Sequence, residues 1–140
     1  MKRVGDRFMQ LAVLFALCGM TLGVWMGTTE NFTLAAVHAH INLLGWVSMM
    51  IYGLFYRANP QATGTLAAVH FWVALVSVLG SMPLLTMLLL AQSTNKAVLG
   101  LTDKQIGPIL GPFELGLWLS MLIFAVIVWR TTWKPQTAAN

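Results

Sequence analysis

Apolar residues run along this chain in four long blocks, broken by short polar stretches. The blocks cover residues 8–28, 35–56, 66–91 and 108–129. Each reaches the ~20 residues needed to cross ~30 Å of hydrocarbon. No water is available at that depth to satisfy backbone groups, so each block is expected to be a helix. The expected architecture is all-α, a polytopic membrane protein whose four transmembrane helices form one bundle. Residues 1–140 then make a single membrane domain. The segment 92–107 is the one sizeable stretch outside the blocks, and it is too small to be a domain. No internal repeat is evident.

Composition agrees with this pattern. The 140 residues are 58% hydrophobic and 9% charged, and the mean hydropathy is +0.75. A soluble domain carries roughly 25% charged residues. The lipid bilayer is therefore the expected surroundings. The net charge of +4 has a topological reading. Lys2, Arg3 and Arg7 precede the first block, Arg57 lies between the second and third, and Arg130 and Lys134 follow the fourth. Those six share one side, and Lys96 and Lys104 stand on the other. The positive-inside bias places both termini in the cytoplasm. No basic cluster is interleaved with aromatics, so no nucleic-acid partner is expected.

The first block has a basic start, like a signal peptide. It is long for such a segment, and no small-residue cleavage site follows cleanly, so it reads as a retained helix. Leu17 is too large to precede a lipoprotein cleavage at Cys18. That lone thiol is expected to pack and implies no disulfide. Gly19, Gly23 and Gly27 recur every four residues and form a nearly straight stripe where another backbone can approach. The stripe suits packing within the chain, a subunit interface, or a flat wall against a cofactor ring. Pro83 removes a backbone bond inside the third block and is expected to kink it.

Candidate chemistry centres on Val37-His38-Ala39-His40-Ile41-Asn42. Imidazoles at membrane depth are costly and make a functional site the first hypothesis, as metal or haem ligands or as proton relays. His38 and His40 diverge by about 200° around a helix, so they cannot converge on one ion from an unbroken helix. They can serve neighbours on opposite faces. Counting ~1.5 Å per residue puts His40 near the outer surface and His70 near the inner one, roughly 15 Å apart along the axis. Met87 and Glu114 fall close to the level of the pair, and Met26 slightly further out. Glu114 is the one acid inside a block, and suits proton handling, a metal or contact with water. Asn42 suits hydrogen bonding between helices.

The run His40-x-Asn42-Leu43-Leu44-Gly45-Trp46, with Tyr52, Gly53, Tyr56 and Pro60, resembles the second transmembrane helix of the haem–copper oxidase subunit I superfamily. The nearest branch is that of nitric oxide reductases and C-type oxidases. The chain also resembles short four-helix bacterial membrane proteins labelled cytochrome-c-oxidase-like. The resemblance covers roughly the second block and its flanks. It implies that His40 is an axial ligand of haem b, and it assigns no role to His70. The later helices that supply the copper-site histidines of the large enzymes have no counterpart here, because the chain holds three histidines in all. A complete oxidase or reductase is therefore not expected.

The leading expectation is a haem b protein for electron transfer or diatomic-gas binding. His40 is the principal iron ligand, with His38, Met87 and Asn42 as further cofactor contacts and Glu114 and His70 as possible ones. A low-spin haem needs two axial ligands, and the second comes from Met87 or from a histidine of another copy. A homo-oligomer or a respiratory redox partner follows. Two alternatives stay open. One is a copper-binding accessory protein using His38 or His40 with Met26, Met87 or Glu114. The other is a structural subunit of a respiratory complex. No nucleophile elbow, phosphate-binding glycine loop or zinc motif points to a hydrolase.

Overall fold

A computed structural model of the protein describes residues 4–133. Lys2, Arg3 and Lys134, counted in the charge bias, lie outside the described residues. The helices in chain order are α1 (Val4–Thr29), α2 (Ala35–His40), a π-helical segment (Ile41–Ser48), α3 (Met49–Ala58), α4 (Thr65–Thr94) and α5 (Asp103–Thr132).

Helices α1, α4 and α5 are each long and apolar enough to cross a membrane. The 35–56 block differs from the single α-helix expected. The chain winds on from Ala35 to Ala58, with helical dihedrals at both junctions (Ile41 φ −57°, ψ −44°; Met49 φ −66°, ψ −33°). Between them the π segment bonds i to i+5 and is wider than an α-helix. Ser48 Oγ donates to the Leu43 carbonyl, five residues back, at 2.8 Å. Hydropathy carries no trace of this change of winding, because the block is apolar all round.

The helices outrun their apolar blocks. Hydrophobicity marks the apolar stretch, whereas caps decide where winding stops. Helix α5 starts at Asp103 because Gln105 Oε1 accepts from both the Thr102 N–H and its hydroxyl, each at 3.0 Å, a capping-box arrangement. Pro108 and Pro112 are carried inside it, as Pro83 is inside α4. Helices α1 and α4 end on left-handed residues, Glu30 (φ 52°) and Asn95 (φ 53°). Between α4 and α5, Val98 and Leu101 exchange both backbone hydrogen bonds at 2.9 and 3.0 Å. Leu99 (φ 50°) and Gly100 (φ 79°) form the two-residue turn between them, of the primed hairpin kind.

Outward faces stay apolar. Leu14, Leu17 and Val24 on α1, Leu43 and Ile51 on the second stretch, Val76 and Leu79 on α4, and Leu115 and Trp118 on α5 are exposed. A helix apolar on every side suits a membrane span or the core of a larger assembly.

Two helical hairpins build the molecule. Helix α1 packs along the π segment and α3, and α4 packs along α5. Small residues set the distances. A Cβ on Gly5 would stand 2.9 Å from the Gly53 carbonyl oxygen, and one on Gly53 equally close to the Gly5 carbonyl. Gly45 seats the ring of Phe15, Gly80 that of Phe113, and Gly116 the side chain of Ser77. The hairpins meet in a buried core that includes Phe8, Tyr52, Tyr56, Phe71, Val78 and Met82. At the same end Arg57 pairs with Asp6 at 3.7 Å, and Arg130 shares a surface cavity with Gln61 and Thr63.

Candidate functional site

The first histidine cluster forms where α2 passes α1. His38 turns toward the glycine stripe, and its Nδ1 lies 2.9 Å from the Gly19 carbonyl oxygen. A carbonyl only accepts, so Nδ1 of the neutral ring carries the proton and donates. The ring lies over Gly23, where a Cβ would come 2.8 Å from Cε1. Asn42, one turn on, donates from Nδ2 to the His38 carbonyl at 2.8 Å and stands 3.4 Å from both ring nitrogens. A Cβ on Gly19 would meet its amide at 2.6 Å. Gly19 and Gly23 are thus used for packing within the chain. Gly27 has open space around it.

His40 is placed differently. It is half-exposed on another side of the same short helix. Its Nδ1 donates to the Ala36 carbonyl, one turn back, at 2.8 Å. That bond fixes the tautomer and leaves the Nε2 lone pair free, with no hydrogen bond to it among the described residues. Metal-ligating histidines are held in this way, one nitrogen anchored to a carbonyl and the other presented. The π segment begins at the next residue, and such segments recur at functional sites.

His70 belongs to a separate cluster at the basic end. It is fully buried. Tyr56 Oη lies 2.9 Å from its Nδ1. Phe8, Tyr52, Tyr56 and Phe124 surround the ring with centroids 5.1, 4.6, 5.8 and 5.5 Å away. Among the described residues its Nε2 has no hydrogen-bond partner. The Tyr52 ring meets the imidazole at an interplanar angle of 71°. Sequence reasoning passed over this cluster. Its signal was the register of a helical hairpin: Tyr52 precedes the 59–64 turn by about as much as His70 follows it, and Tyr56 is one helical turn from Tyr52.

The remaining candidates are dispersed. Met26 is buried on α1 and Met87 half-buried on α4. Glu114 is half-buried on α5, with Oε1 enclosed and unpartnered. Among the described residues no three of His, Cys, Asp and Glu come together as a metal-binding group. The structure joins His38 to Asn42 and leaves His40 apart from both His38 and His70.

Sequence reasoning also missed a cavity of about 260 Å³ beside the π segment. Tyr52, Ser48 and the buried Ser120 are among the residues that line it. Comparison with protein-family models found no match, and neither curated proteins nor solved structures gave one.

Proposed function

We propose that the chain is an integral membrane protein of four spans that binds haem b through His40. Counting 35–58 as one span gives an even number, with both termini on the cytoplasmic side of a bacterial inner membrane. Arg7, Arg57 and Arg130 at one end favour that orientation. His40 is then near the outer surface. The observation that carries the reading is the His40 ring, anchored through Nδ1 with Nε2 presented at a half-exposed, membrane-level surface.

The residues present would supply one ligand to such a group. They do not enclose it in a single copy, because His40 is half-exposed and stands apart from His38 and His70. His38 is committed to α1 and His70 to the core. The second ligand is therefore assigned to another copy, whose own His40 a two-fold axis would place opposite the first. Haem b held there would supply one-electron exchange or gas binding. The chain's part is to hold His40 neutral and aimed, with Ala36 as its anchor, while the apolar outer faces exclude water.

The test is the optical spectrum of detergent-purified protein, oxidised and dithionite-reduced, with and without carbon monoxide. Sharp reduced bands unmoved by carbon monoxide are expected. His40→Ala should abolish them. His38→Ala should retain haem while lowering stability. A protein that stays colourless when made with ample haem, or a His40→Ala variant that keeps its haem, would sink the reading. Copper retained by the colourless protein would then support the accessory-protein alternative.

A further inference from the structure

We propose that the surface cavity between the 59–64 turn and the end of α5 seats the phosphate head group of an anionic phospholipid. The chain has eight basic side chains and four acidic ones. The four are Asp6, Glu30, Asp103 and Glu114. Glu30 follows α1 and Asp103 opens α5, both at the end away from Arg130, and Glu114 lies within α5. Asp6 alone stands at the basic end, and it pairs with Arg57 at 3.7 Å. No carboxylate side chain is left for Arg130, so its counter-charge must come from an anion that the side chains do not supply.

Arg130 lines a cavity of about 370 Å³, within the roughly 300–1,000 Å³ of ordinary ligand sites. Gln61 and Thr63 add neutral polar groups from the turn. Ala67 and Ile127, both buried, and the exposed Leu66 add apolar surface. One cation, neutral polar groups and apolar side chains thus share a single concavity. A phospholipid has all three counterparts. Its phosphate oxygens match the fork of a guanidinium, its glycerol and ester oxygens match the neutral polar groups, and its acyl chains begin where the apolar surface lies. A soluble phosphate would leave that surface unused.

Depth agrees with this occupant. Trp129 and Trp133 flank Arg130 in sequence, are exposed, and stack with centroids 6.0 Å apart. Tryptophan collects at the membrane–water interface, where head groups lie. Basic pockets between spans on the cytoplasmic side take anionic head groups. The phosphate of phosphatidylcholine is already balanced by its own ammonium, so a lipid of net negative charge is preferred. The proposal rests on the membrane reading and does not require haem.

The experiment titrates the full chain, purified in a non-ionic detergent, with phosphatidylglycerol and with phosphatidylcholine, and reads bound lipid by native mass spectrometry. Phosphatidylglycerol is expected to bind more tightly. Arg130→Gln should weaken its binding roughly tenfold, as for one charged hydrogen-bonded pair. Arg130→Lys should keep part of it, because an ammonium is a point charge without the fork. Arg7→Gln removes the same charge from the same end but lines a different cavity, and should leave binding unchanged. Equal binding of the two lipids, unchanged binding in Arg130→Gln, equal losses in the two glutamine variants, or full competition by inorganic phosphate would overturn the proposal. A chain released from membranes by alkaline carbonate would refute the membrane reading, and this proposal with it.

Discussion

Among the described residues three outside glycine adopt left-handed backbone, and they are not equivalent. Asn95 tolerates φ 53° because its short polar side chain suits that region. Leu99 at φ 50° has no such advantage, and it is 87% exposed. Its strain is not repaid by packing. Leu99→Asn is therefore expected to raise stability by up to about 1 kcal/mol, read as a higher melting temperature in detergent; an unchanged or lower value would contradict the strain. Single residues were unevenly legible in the sequence. The opposed placement of His38 and His40 follows from their spacing, because two positions on a helix cannot share a face. The anchoring of His40 to Ala36 could not be foreseen, since any residue four positions back carries a carbonyl. Burial of His70 was equally hidden. In a chain apolar on every side, hydropathy does not separate the core face from the lipid face.

At the scale of elements, glycine spacing was the most reliable guide. The stripe on α1 announced a close approach, and Gly19 and Gly23 receive His38 and Asn42. At Gly5 and Gly53 the obstruction is instead backbone and cannot swing away. Gly53→Ala also drives its Cβ into the Met9 side chain. Overpacking of this kind costs about 1–3 kcal/mol. A thermal melt of the purified variant should show that loss, whereas Gly27→Ala, with open space around it, should melt with wild type. Equal behaviour of the two would mean that the α1–α3 crossing is not set by these glycines. The π segment was the element that sequence reading missed. Its composition suits an α-helix equally well, and only the hydrogen-bond register distinguishes the two.

For the whole molecule, the decisive contact is the aromatic cluster that ties one hairpin to the other. Phe8, Tyr52 and Tyr56 come from the first hairpin, and His70 and Phe124 from the second. Tyr56→Phe removes the hydrogen bond to His70 across that junction and leaves His70 Nδ1 buried without it. The expected cost is about 1–3 kcal/mol, measured as reduced thermal stability with helix content retained. An unaltered melt would show that the aromatic faces suffice. This division into hairpins has a consequence for biogenesis. The ribosome delivers α1 through α3 before α4 exists, so Phe8, Tyr52 and Tyr56 first face lipid, and His70 reaches them only when the second hairpin inserts. Each newly made copy therefore spends an interval as an unclosed half, open to membrane proteases. Lower steady-state abundance of Tyr56→Phe in cells, beyond what its melting temperature explains, would be the trace of that interval.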